Sequence, residues 1–198
     1  RSEQLAGLAA SVVVGILFSS FVAQSLSRRF DKKNALSICV ITAGVFAFSP
    51  QVLYFAGLLE SMSVIAKFAF VFTVNGISQV FFIAYIILLD SMLSDVIDEH
   101  ELNTSKSEEG LFFAARSFAT KASYGLGSFF AGIGLDFIHF PQSASPETVP
   151  ADAVLSLAIL SGPVMFILFS ATVIVSSRYP LTAARHSDIM RAIKARGD

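Results

Sequence analysis

Lys121 is the residue whose chemistry is hardest to reconcile with its neighbours. It follows Leu111-Phe-Phe-Ala-Ala-Arg-Ser-Phe-Ala-Thr, in a segment otherwise built of apolar and small residues. A helix entering hydrocarbon near Leu111 carries Lys121 ten residues further in. At ~1.5 Å per residue that is about 15 Å, the middle of a roughly 30 Å core. An ammonium at that depth costs about 2.5 kcal/mol or more, and such residues pair with a carboxylate or serve a solute path. Ser117, Lys121, Gly125, Ser128 and Gly132 recur at steps of three or four and share one helical face. Ser123, Gly127 and Ala131 form a second small stripe. Close helix packing accounts for the serines and glycines taken singly. It does not account for an ammonium, and snorkelling relieves lysines near helix ends rather than at the midplane. Lys121, on one face with Ser117, Gly125 and Ser128, is therefore expected to pair with a membrane carboxylate or to donate a hydrogen bond to a polar substrate.

A second concentration of chemistry precedes it. Asp95, Asp98, Glu99, Glu101, Glu108 and Glu109 crowd the stretch 94–109, with Lys106 the one basic residue among them. Such carboxylates repel one another unless cations from elsewhere compensate them. Arg28 and Arg29, in the segment 27–34, are candidates, and Arg116 lies seven residues after Glu109 on one helix face. Ion pairs of Asp95, Asp98, Glu101 and Glu109 with Arg28, Arg29 and Arg116, made in one conformation and broken in another, would form an inner gate. Asn75, Gln79 and Asp90 mark the apolar segment before this stretch, as path-lining groups or interhelical hydrogen-bonding groups.

Composition sets the environment. The 198 residues are 54% hydrophobic and 15% charged, with twenty phenylalanines, no tryptophan and a mean hydropathy of +0.69. Soluble chains carry about 25% charged residues, so the expectation is a polytopic membrane protein. A net charge of −1 gives no case for nucleic-acid binding. Cys39 is the single cysteine and reads as a small buried hydrophobe; no disulfide framework is available. His100, His139 and His186 are far apart in sequence with no metal-ligand spacing, and no nucleophile or phosphate-binding motif occurs. No catalytic residue, metal site or cofactor is expected. The start, Arg-Ser-Glu-Gln, lacks Met and a basic leader; the chain is expected to be a piece of a longer protein.

Five apolar segments are long enough to span a bilayer, at about 5–26, 35–59, 64–93, 110–138 and 153–177. Pro50 and Gly162-Pro163 are expected to kink helices without ending them. Arg28, Arg29, Lys32, Lys33, Lys106, Arg178, Arg185, Arg191, Lys194 and Arg196 fall on one side, with Arg116 near it, against Arg1 and Lys67 on the other. The basic side is expected to be cytoplasmic, which puts the N-terminus outside and the C-terminus inside. The expected division is a membrane half-bundle over 1–177 and a basic, partly helical cytoplasmic tail over 178–198, drawn to anionic lipid. The 139–152 stretch, rich in proline and small polar residues, reads as an external loop.

The run Ser-Met-Leu-Ser-Asp-Val-Ile-Asp-Glu-His-Glu (91–101), followed by Glu-Glu-Gly-Leu-Phe-Phe-Ala-Ala-Arg-Ser-Phe-Ala-Thr-Lys (108–121), resembles the glycoside–pentoside–hexuronide:cation symporters. These form the melibiose-permease-like branch of the major facilitator superfamily. Arg29-Phe-Asp-Lys-Lys33 looks like the family's basic turn between helices eight and nine. The resemblance implies an all-α bundle in which this chain supplies helices eight to twelve of twelve. It also implies that Lys121 lies near the cation and sugar sites, and that Asp95, Asp98, Glu101 and Glu109 join cytoplasmic ion-pair networks. The family often has Gly and Arg at the positions of Ser105 and Ser107, and Gly at Asp31; Lys106 is the candidate substitute for that arginine. The cation-binding aspartates would lie in the missing N-terminal half. The resulting expectation is a cation-coupled transporter of sugars, glycosides or uronides in a bacterial inner membrane, driven by sodium or protons. A transporter of another polar or amphipathic solute such as a lysolipid, and an inactive fragment or scaffold, are the alternatives.

Overall fold

The computed structural model describes residues 2–59, 61–141, 149–180 and 183–197. The described residues form six α-helices and no strand: α1 (Ser2–Arg29), α2 (Lys32–Phe55), α3 (Val64–Thr104), α4 (Glu109–Phe137), α5 (Ala151–Ser177) and α6 (Ala183–Gly197). Each of the five expected spans coincides with one helix. Among the described residues α2, α3 and Asp152–Ser177 of α5 are long and apolar enough to cross a membrane. α4 carries Arg116, Lys121 and Asp136, and is not among them. Pro50 and Pro163 lie inside continuous helices, as expected. α2 stops at Phe55 because Gly57 takes a left-handed φ of 68°, open to glycine at little cost.

The largest departure from expectation is α3. The stretch 94–109, expected as a loop, is helical as far as Thr104, and the helix ends where Ser105 adopts a φ of 57° and its N–H reaches the Glu101 carbonyl. At 41 residues α3 is about 60 Å long, twice a roughly 30 Å hydrocarbon core. The extension persists because Asp95 and Ile97 are buried along it, continuing the buried face of Leu88 and Met92. Buried side chains on an extension of this kind make tertiary packing, not local charge, decide the local structure.

The chain divides into two compact units. The first comprises residues 1–106 and 168–198, and α3 is its axis, with α1, α2 and α6 packed against it. Its core is Ala23, Ala35, Leu36, Cys39, Val40, Ala84, Leu88 and Met92, flanked by Tyr85, Phe169, Val173 and Tyr179. Most of these are small or unbranched, which lets backbones approach where lipid supplies no hydrophobic drive. Ser78 Oγ donates to the Ala43 carbonyl at 3.0 Å and ties α2 to α3. A Cβ placed on Gly15 would stand 2.9 Å from Gln79 Cβ, so α1 meets α3 at backbone distance. The second unit, 107–167, contains α4 and the first part of α5, and Leu160 reaches to 3.0 Å of where a Cβ on Gly134 would lie.

The Gly15 contact gives a direct test. Gly15→Leu should push α1 from α3 and destabilise the protein by about 1–3 kcal/mol, as overpacking does. Gly125→Ala, which meets nothing within 4 Å in this structure, should leave stability nearly unchanged. Thermal unfolding in detergent of the two variants beside the parent decides the matter; equal midpoints would contradict the close approach.

Candidate functional site

Asp95 is buried at one end of α3, with its side chain 6% exposed. A carboxylate so placed needs a cation, and α2 supplies it. Lys32, the first residue of α2, lies just after the turn at Phe30-Asp31. Its Nζ donates to Asp95 Oδ1 at 2.6 Å, to Oδ2 at 2.8 Å and, more weakly, to the Ser91 carbonyl at 3.4 Å. Ser91, Asp95 and Asp98 follow at steps of four and three and share one face of α3.

The chain end completes the cluster. His186 Nε2, from α6, stands 3.3 Å from Asp95 Oδ1 and 3.1 Å from Asp98 Oδ2. Arg185 reaches Glu99 at 3.5 Å. Tyr179, between α5 and α6, donates its hydroxyl to the Met92 carbonyl at 3.0 Å. Burial raises the Tyr179 phenol above its ordinary range, and the charges of Asp95 and Glu99 and a hydrogen bond to Asp95 raise it further. The phenol is therefore a neutral donor at physiological pH. Ile189 of α6, 1% exposed, is the apolar anchor of the same junction.

Asp95, Asp98 and His186 offer ligand atoms within 4.8 Å of one another, which are donors of the kind a divalent metal takes. The Lys32 ammonium at 2.6 Å already compensates Asp95.

Among the sequence-expected site residues, Asp95 and Asp98 are drawn into this cluster. Their partners are Lys32 and His186. Arg28 and Arg29 are exposed at the end of α1 and make no ion pair among the described residues. Lys32 opens the first turn of α2, which packs against α3. Glu101 is half-buried, and its backbone carbonyl caps α3. Glu109 is exposed in the first turn of α4 and makes no ion pair among the described residues. Two helical turns, about 10.5 Å, separate it from Arg116. Arg116 instead donates to Thr120 Oγ1, whose hydroxyl donates back to the Arg116 carbonyl at 2.9 Å.

On α4, Ser117, Lys121, Gly125 and Ser128 are all exposed and lie along one face. Lys121 has no hydrogen bond or ion pair among the described residues. Reasoning from sequence missed His186, Arg185 and Tyr179 as site residues. The available signal was Ile189 among the polar residues Arg185, His186, Ser187 and Asp188, which marks a one-sided helix.

The described residues are helical, three of their helices are long and apolar enough to cross a membrane, and a polar stripe lies on a fourth. Together with the similarities that follow, these features make the chain a transporter rather than an enzyme. Residues 3–183 match the family described as MFS/sugar transport protein, and the chain belongs to that family. It is 30% identical to "Uncharacterized symporter sll1374" of Synechocystis sp. (strain ATCC 27184 / PCC 6803 / Kazusa), over 98% of this chain and 35% of the relative. It is 25% identical to "Putative glycoside/cation symporter YagG" of Escherichia coli (strain K12), over 89% of this chain and 36% of that protein. The chain thus spans about a third of the length of these relatives. No solved structure matches it significantly.

Lys32→Met should strand the Asp95 carboxylate and cost about 3 kcal/mol, in the range for breaking a buried pair. Adding Asp95→Leu should recover most of that loss, because no buried charge then lacks a partner. The unfolding midpoints of both variants and the parent measure this coupling; additive losses in the double variant would contradict it.

Proposed function

We propose that this chain is the C-terminal half, helices eight to twelve, of a cation-coupled symporter for sugars, glycosides or uronides working by alternating access. The match of residues 3–183 to a sugar-transport family carries this reading. The names of the two relatives, both symporters, support the coupling to an ion. The coupling ion is sodium or a proton, and its aspartate ligands belong to the N-terminal half. The stripe Ser117, Lys121, Gly125 and Ser128 faces the substrate and cation path. Lys121 supplies an ammonium that pairs with a membrane carboxylate or donates to a sugar hydroxyl. The Lys32–Asp95 pair, Asp98, Glu101, Glu109 and Arg116 are assigned to the ion-pair network that closes the inner side.

The protein lies in a bacterial plasma membrane, with the acidic end of α3 and the helix α6 in the cytoplasm. The lysine and arginine bias supports this orientation. Cysteines introduced as Ser143→Cys and Ser187→Cys in a Cys39-free full-length transporter should label from opposite sides with an impermeant thiol reagent. Equal labelling from outside intact cells would overturn the topology.

Lys121→Leu should abolish gradient-driven uptake of labelled sugars in vesicles while leaving insertion intact, because leucine removes the insertion cost of the ammonium and strands its partner. Lys121→Arg should restore uptake only partly, since a planar guanidinium does not replace a compact ammonium. Sodium and proton gradients imposed separately identify the coupling ion. Unaltered uptake by the leucine variant would remove Lys121 from the site.

A further inference from the structure

The junction between α3 and α6 joins two different kinds of element. α3 is held along its length by α1 and α2. α6 is a 15-residue helix of low hydrophobicity, a length that is marginal for an isolated helix in water. Its described anchors include the buried Ile189, the His186 imidazole between Asp95 and Asp98, and the Arg185–Glu99 contact. Arg185, Ser187, Asp188 and Arg191 are exposed. A helix so attached belongs to the low-stability end of a fold, where local opening occurs without global unfolding.

His186 nevertheless contacts the pivotal carboxylate. Asp95 Oδ1 receives Lys32 on one side and His186 on the other. With α6 docked, Asp95 is 4% exposed. With α6 released, the imidazole leaves and water reaches the carboxylate, so the Lys32–Asp95 pair becomes a solvated, screened one of much smaller strength. Docking of the tail and the bond between α2 and α3 are thus coupled through one shared oxygen.

We propose that α6 is a detachable strap over the Lys32–Asp95 pair, clasped by His186, and that its docking restrains the separation of α2 and α3 at this end of the molecule. The restraint on transport rests on the transporter reading above; the strap itself does not. Hydrogen exchange of the purified full-length protein tests it, with mass spectrometry resolving α6 from α3. His186→Ala should speed exchange of the amides over 185–192 at least tenfold, while the amides over 91–98 stay protected. His186→Gln, which keeps a donor at similar reach, should remain within threefold of the parent. Equal exchange of α6 in His186→Ala and the parent would overturn the strap. So would a rise of equal size in α3, which would mark general loss of structure. In vesicles, His186→Ala should raise the initial sugar uptake rate at least twofold at equal protein; unchanged or lower uptake would overturn the restraint. A parent protein that takes up no sugar would instead refute the transporter reading, and the exchange data would still decide the strap.

Discussion

One buried carboxylate organises the first unit. Asp95 sits in the part of α3 that extends beyond membrane length, and its charge is stable there only with a cation close by. That requirement determines where α2 begins, since Lys32 must stand within 3 Å of it. It also gives the chain's last helix a place to dock, through His186, and leaves Tyr179 as a neutral donor beside the same charge. Three segments far apart in sequence meet at one oxygen pair. The remainder of the packing, from Ala35 and Cys39 against Ala84 and Leu88, places the helix ends closely enough for that meeting.

Both units contain polar side chains bonded within their own helices. In the first, the buried polar side chains Ser19 and Asp95 both have partners within the fold. In the second, Arg116 is bonded to Thr120 on its own helix, while the Ser117–Ser128 stripe with Lys121 is exposed. An exposed ammonium and two serines among phenylalanines are poorly suited to lipid contact. They suit a face that meets water, solute or another helix.

Much of the architecture was legible in the residues. Five long apolar runs each became one helix, and three of these helices are long and apolar enough to cross a membrane among the described residues, where backbone groups must be satisfied within the segment. Gly57, Pro50 and Pro163 act locally, as their chemistry requires. The site was legible only on one side. Carboxylates gathered at 95–101 announce that cations must be near, but not which ones. Arg28, Arg29, Lys32 and Lys33 are equivalent in composition, and only the starting point of α2 singles out Lys32. A charged stretch also resembles a loop until burial of Asp95 and Ile97 shows it to be helix.

The sequence by itself determined the class: a helical membrane chain, with a lysine in its fourth apolar segment and an acidic segment before it. Those conclusions rest on hydrophobic length, periodicity and local motif, all properties of contiguous residues. Tertiary structure alone decided that α3 runs on to Thr104, that Lys32 rather than Arg28 or Arg29 neutralises Asp95, and that His186 closes over the pair from 88 residues beyond Asp98. Pairing across such separations depends on how helices pack in three dimensions, to within an ångström. Ion pairs, which change strength steeply with distance and burial, inherit that dependence.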